Sequence, residues 1–255
     1  MEHLIQINST CIGCNLCIID CPSNNIILIN QKASIIQQNC IHCGHCVAIC
    51  PKQAVSITGF DDEPIELTNQ PRLDPNLLMQ VYQSGRSTRN FKDTHISQEI
   101  IHQLIEAGRY SPSATNAQDV SYIIIQNKIN EIENIAIHLF KKCLPFVKMF
   151  YAPAKRIQID NHFFFKKAPL VILIVSRNNT NGMISTTRMA LMAESLGLGV
   201  LYSGFFTIAT KLSRKLRHHL KLKSGERVVA TLVLGYPHVN YHRTTQKEAV
   251  NITAL

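Results

Sequence analysis

The stretch CIGCNLCIIDCP, residues 11–22, returns 29 positions later as CIHCGHCVAICP, residues 40–51. Each copy reads Cys-x2-Cys-x2-Cys-x3-Cys-Pro, so eight of the nine cysteines fall within the first fifty residues. Eight thiols so close together must be bonded to something, and that restricts the fold more than any other feature. Disulfides suit a small exported module, but only ten residues precede Cys11 and they hold no apolar signal core. Zinc takes Cys-x2-Cys hooks separated by a loop, one pair per hook. Here three cysteines crowd one side and a fourth follows at x3, before a proline.

That spacing matches the bacterial-type ferredoxin with two 4Fe-4S clusters, in which the fourth cysteine of each copy serves the other cluster. The reason is geometric. Three closely spaced thiolates wrap three irons of one cube, and the proline turns the chain so that the fourth faces the neighbouring cube. Cys11, Cys14, Cys17 and Cys50 are therefore assigned to one cluster, and Cys40, Cys43, Cys46 and Cys21 to the other. Gly13 and Gly44 let backbone N–H groups approach the sulfurs. Short β-prone runs flank the copies, at 4–7, 26–29, 33–36 and 55–58. The two halves read as related by a pseudo-twofold axis. His42 and His45 read as surface histidines, and Cys143, alone late in a helix, as a buried inert thiol.

The composition, 45 % apolar and 17 % charged, predicts a packed core rather than disorder. The net charge of +9 raises nucleic acid as a partner. The basic residues are scattered, however, and the densest run, 211–223, reads as one amphipathic helix with Leu212, Leu216 and Leu220 on its dry side. No nucleic-acid partner is expected. The longest apolar run, 170–175, is far too short to span a bilayer, so no membrane partner is expected either. Free thiols and no visible signal predict a cytoplasmic setting.

Residues 1–60 read as the cysteine domain, 61–76 as a polar, proline-bearing linker, and 77–255 as a second domain. In the last, helices and strands alternate: helix 97–108, strand 120–126, helix 128–144, strand 170–176, helix 185–196 and strand 228–234. That order predicts an α+β chain, with a small ferredoxin-like domain and a larger domain of helices packed on a mixed sheet.

Four stretches of the second domain carry polar chemistry: SGRSTRNF (84–91), SPSATNAQ (111–118), SLGLGVLYSGFF (195–206) and VVATLVLGYP (228–237) followed by YHR. Arg86 and Arg89, three apart, share a face if they lie on a helical turn, and Ser87 between them offers a hydroxyl and a helix-start amide to a phosphate. In this order and spacing the four stretches resemble the FMN-dependent nitroreductase family over about residues 78–246. The chain as a whole looks like a ferredoxin–nitroreductase fusion.

The resemblance implies roles. Arg86, Ser87 and Arg89 would hold the FMN phosphate, ribityl chain and pyrimidine edge, with Arg243 adding to the phosphate grip. Ser203 and Gly204 match the pair whose backbone approaches the flavin N5 side. Pro112, Ser113, Ala114 and Asn116 match a stretch that comes from the other subunit, so a homodimer is implied. The chain departs from the family at Gly85, where an arginine is common, and at Asp119 and Val120, where Pro-Trp is common. Two clusters and an FMN phosphate, each about −2, would bring the net charge to about +3.

The implied activity passes electrons from two 4Fe-4S clusters to FMN and on to a small-molecule acceptor: a nitroaromatic, a quinone or an activated alkene. A reduced ferredoxin or NAD(P)H is the expected donor, although no Gly-x-Gly-x-x-Gly turn marks a separate dinucleotide site. No side chain is needed as a nucleophile. The alternative is a non-catalytic electron carrier or redox sensor that stores electrons on FMN. The doubled motif predicts about eight irons and eight sulfides per chain after oxygen-free purification. Iron, sulfide and zinc analysis checks this, and stoichiometric zinc in place of iron would refute it.

Overall fold

The computed structural model describes residues 3–36, 39–150 and 152–255. The chain divides into two compact units: Met1–Arg72 together with Ala114–Ala117, and Leu73–Ser113 together with Gln118–Leu255.

In the first unit the elements run β1 (Ile5–Ile7), α1 (Leu16–Ile19), β2 (Ile26–Ile29), β3 (Lys32–Ile35), α2 (His45–Ala48) and β4 (Val55–Ile57). β1 pairs with β4 and β2 with β3, both antiparallel, so each two-stranded sheet takes one strand from each sequence copy. α1 and α2 start at equivalent points, after Asn15 and Gly44, both in the left-handed region at φ +65° and +75°.

The second unit continues with α3 (Pro75–Ser84), α4 (Gln98–Arg109), β5 (Ser121–Ile125), α5 (Ile129–Phe150), β6 (Leu170–Ser176), α6 (Asn179–Ser195), β7 (Gly199–Tyr202), α7 (Gly204–Leu212), α8 (Arg214–His219) and β8 (Arg227–Gly235). The sheet order is β5-β6-β8-β7. All of its strand pairs are antiparallel, and the parallel component expected of a mixed sheet is confined to one bridge, Ser87 to Val200.

β6 is buried along its whole length, as its unbroken apolar run predicts. Its side chains alternate between two cores. Val171, Leu173 and Val175 pack with Ile132, Ile137, Phe206 and Leu216 of α5, α7 and α8. Leu170, Ile172 and Ile174 pack with Ile101, Leu104, Met189 and Ala193 of α4 and α6. The sheet is thus covered on both faces. The register shifts at Ile174/Val175, where Val175 faces Val228 and Val229 is left over. This bulge moves Val228 into the first core while Ala230, Leu232 and Leu234 stay in the second.

Three expectations change. The run 211–223 is two helices, because Ser213 ends α7 and its hydroxyl accepts from Leu216 N–H to open α8. Leu216 and Leu220 are buried but Leu212 is 64 % exposed. α5 runs on through Pro145, whose missing N–H falls on a mostly exposed stretch where water can take the freed carbonyl. Cys143 on that stretch is exposed, not buried. Asp119, where the resemblance led one to look for Pro-Trp, is an anchor. It accepts from Ser176 Oγ at 2.7 Å and Asn181 Nδ2 at 2.6 Å, tying the end of β6 to the start of α6. Burial works against its charge, but these bonds hold its carboxyl below the usual range. Among the described residues no helix is long and apolar enough to cross a membrane.

Glu133 of α5 is fully buried. Its Oε1 accepts from the N–H groups of Phe164 and Phe165, both at 2.8 Å, while Oε2 has no hydrogen-bond partner among the described residues and lies 3.9 Å from His162 Nδ1. Burial pushes its carboxyl up to about 6 from the ordinary 4.5. A raised carboxyl favours the folded state while protonated, so this stability is present below pH 4.5 and is lost as pH rises through 6. Glu133→Gln removes the titration. Relative to wild type, the variant should gain about 2 kcal/mol between pH 4.5 and 7 in denaturant unfolding. A constant difference across that range would refute the assignment.

Candidate functional site

Two cavities in the first unit each collect four of the predicted cysteines. One is lined by Cys11, Cys14, Cys17 and Cys50, the other by Cys21, Cys40, Cys43 and Cys46. Each set takes three thiols from one sequence copy and the last from the other. Backbone N–H groups meet the sulfurs: Ala33 to Cys11 at 3.5 Å, Asn25 to Cys21 at 3.3 Å, His42 to Cys40 at 3.4 Å and Ala54 to Cys50 at 3.2 Å. The bonds at Cys21 and Cys50 occupy equivalent places in the two copies.

The donor set suits a cube. Four thiols around one cavity, with N–H groups on their sulfurs, match the needs of a 4Fe-4S cluster. Among the described residues no group of three or more His, Cys, Asp or Glu gathers closely enough for a single metal ion. A cube spreads its thiolates over four irons and so needs a wider spacing. The N–H groups of Ala33 and Gly13 lower the Cys11 thiol, while burial pushes Cys46 up to about 11. Iron must therefore displace a proton from Cys46 on binding. His45, beside Cys46, is exposed and meets Asp20 at 3.1 Å.

In the second unit two of the predicted stretches, 84–91 and 195–206, meet at the edge strand β7. The helical turn expected over Arg86–Arg89 is absent: Gly85 ends α3 and the chain then runs extended along β7. Ser87 bridges Val200, and Thr88 N–H donates to Val200 O at 2.9 Å. The edge offers backbone partners that a helical turn could not use. Thr88 is buried, and a side chain at Gly199 would start 2.5 Å from its Oγ1, so Gly199 is what lets this segment dock. Sequence reasoning missed both residues, and the only signal was glycine inside an apolar run.

Arg86 folds back, its Nη1 donating to Gly85 O at 2.6 Å and Gln83 O at 3.2 Å. Its Nη2 is buried with no hydrogen-bond partner among the described residues. Exposed Arg89 donates to Ser87 O at 3.3 Å. Three residues beyond Val200, roughly 10 Å along the strand, buried Ser203 opens α7. It donates its N–H to Thr231 O at 2.9 Å, but its hydroxyl caps nothing. The space beside Gly204 is open. Among the described residues no side chain caps the start of α7, which leaves its first N–H groups for an anion.

The other predicted residues are spread out. Ser113 Oγ accepts from Gln118 N–H at 3.0 Å in the second unit. Pro112 precedes it there, whereas Ala114 and Asn116 belong to the first unit. Arg243 is exposed in the chain that follows β8, outside any helix or strand.

The sequence profile of the nitroreductase family matches residues 83–236, and that of a 4Fe-4S dicluster domain matches residues 3–51. A protein of Methanothermobacter thermautotrophicus, provisionally named NADH dehydrogenase/NAD(P)H nitroreductase, is 20 % identical over 172 residues, 64 % of this chain and 78 % of that one. Two solved structures share the fold. A nitroreductase with bound FMN from Desulfitobacterium hafniense is 21 % identical at a TM-score of 0.57, covering 69 % of this chain and 97 % of that one. An FMN-dependent nitroreductase from Clostridium difficile is 19 % identical at 0.56, covering 71 % and 100 %.

The two motif glycines separate two kinds of constraint. Gly13, at φ +65°, would set a Cβ 2.1 Å from the backbone oxygen of Gln31. Gly44, at φ +75°, has nothing within 4 Å and imposes only backbone strain. Gly13→Ala should lose roughly half of the bound iron, and Gly44→Ala should keep nearly all of it. Equal iron loss in the two variants would refute the steric reading.

Proposed function

From the premise that the chain belongs to the nitroreductase family and carries a 4Fe-4S dicluster domain ahead of that region, we propose that it is an FMN-dependent oxidoreductase fed through two 4Fe-4S clusters. Its acceptor is a nitroaromatic, a quinone or an activated alkene. When bound, the clusters supply single electrons and FMN supplies two-electron transfer at its N5.

The observation that carries the reading is the buried Nη2 of Arg86, without a partner among the described residues, in the segment docked beside the edge strand that leads into the start of α7. A buried guanidinium nitrogen without an acceptor is costly, and a phosphate relieves that cost with a charge-assisted bond. Arg86 takes the phosphate, Ser87 the ribityl chain and Arg89 the pyrimidine edge. The Ser203 N–H is taken by Thr231 O, so the Gly204 N–H at the uncapped start of α7 would serve the flavin N5 side and favour negative charge on the reduced ring. Arg243 adds a second cation for the phosphate.

A homodimer completes the site, with Pro112 and Ser113 supplied by the partner copy. Phe146, Met149 and Phe150 on α5, and Phe205, Ile208 and Leu212 on α7, leave apolar surface exposed for such a partner. The donor is a reduced ferredoxin, whose acidic surface suits the +9 charge, or NAD(P)H. The protein acts in the cytoplasm.

Arg86→Ala should weaken FMN binding roughly tenfold to a hundredfold, the worth of one charge-assisted hydrogen bond. Fluorescence titration of the apoprotein reads this, and an unchanged affinity refutes the phosphate role. Anaerobic reoxidation of reduced wild type by a nitroaromatic or quinone should exceed the rate of free FMN. Rates no faster than free FMN identify an electron carrier instead.

A further inference from the structure

The two cysteine motifs are copies in sequence, but their loops are held differently. The second residue after the leading cysteine is Gly13 in one copy and His42 in the other. Both are left-handed, at φ +65° and +51°. Glycine adopts that conformation freely, whereas a residue with a Cβ is strained there. Such strain persists only where the surroundings over-determine it.

The His42 ring lies against that of His3, with centroids 5.7 Å apart, and a single side chain holds the loop carbonyls. Within the first unit, Asn116 Nδ2 donates to Ile41 O at 3.1 Å and to His42 O at 2.9 Å. Ile41 and His42 are the two residues between Cys40 and Cys43. An amide nitrogen carries two hydrogens and can serve both carbonyls at once. With these carbonyls held, the His42 N–H is aimed at Cys40 Sγ, 3.4 Å away. Asn116 is itself left-handed at φ +53°, next to Thr115 at +52°, in a turn tied by Ala117 N–H to Ala114 O at 3.1 Å.

We infer that Asn116 is a positioning residue for the second iron–sulfur site, the one lined by Cys21, Cys40, Cys43 and Cys46. Its amide holds the Cys40–Cys43 loop and so keeps an N–H on the Cys40 sulfur. N–H groups at cluster sulfurs favour the more negative, reduced state, so this one raises the potential of that cluster alone. The inference rests on the cluster-binding reading above. It departs from the flavin contact that the family resemblance implies for the same residue.

The test uses the whole chain, purified without oxygen: wild type, Asn116→Ala, His42→Gly and the double variant. Iron, sulfide and flavin are counted, and both cluster potentials are titrated by EPR, with Gly13→Ala identifying the first site. Asn116→Ala should keep its flavin and its first cluster. Its second cluster should titrate at a lower potential or be lost, taking iron from about eight per chain toward about four. Glycine at position 42 removes the strain that the amide opposes, so the double variant should recover most of the loss. Unchanged clusters in Asn116→Ala overturn the inference, as does loss of flavin with both clusters intact, equal damage to both clusters, or no recovery in the double variant. A wild type without iron overturns the underlying reading as well; wild-type clusters with an unaffected Asn116→Ala overturn this inference alone.

Discussion

The first unit is organised by its sulfurs. Cys17 and Cys46 are buried in its core with Ile5, Ile26, Ala33 and Val55, and four further cysteines pack against that cluster. Meanwhile Ile12, Ile19, Ile27, Leu28 and Ile29 remain exposed. A unit of this size cannot bury enough apolar surface to offset the entropy of ordering its chain. Thiolate ligation of the proposed clusters would supply the difference, because free energy of metal binding is then free energy of folding. The local backbone follows from that need. Gly13, Asn15, His42 and Gly44 take left-handed conformations where the chain must wrap a cavity and turn N–H groups toward sulfur.

The second unit follows the opposite rule. β6 is dry on both faces and two helical layers close over it. A sheet so covered has little room for polar chemistry in its middle. What remains is an edge, where β7 pairs with a strand of the sheet on one side only and α7 starts without a side-chain cap among the described residues. The extended Arg86–Arg89 segment docks on that edge because Gly199 leaves space for Thr88. One arginine nitrogen is buried there without a hydrogen-bond partner among the described residues.

Legibility in the sequence tracked the range of the interactions. The cysteine spacing, the strand at 170–176 and the helix near 97–108 are set by contacts within a few residues and were readable. The break at Ser213 was missed because one hydroxyl outweighs a continuous amphipathic pattern. The start of α6 at Asn179 was missed because a polar run hides its cap, Asn178, whose side chain accepts from Thr180 and Asn181 N–H. The helical turn expected at Arg86 gave way to a bridge with a strand more than a hundred residues later in the chain. No local pattern announces that partner.

By itself the sequence grouped eight cysteines into two crossed sets of four, each of which lines one cavity, and predicted that an α+β domain with nitroreductase-like stretches follows. The first follows from cysteine spacing, a local property, and the second from the order of helix and strand patterns together with the family resemblance. Tertiary structure decided which residues face which: the bulge that leaves Val229 over, the buried Arg86 nitrogen beside β7, and Asn116 on the carbonyls of Ile41 and His42. Those depend on contacts between distant parts of the chain, whose partners exist only once it has closed on itself.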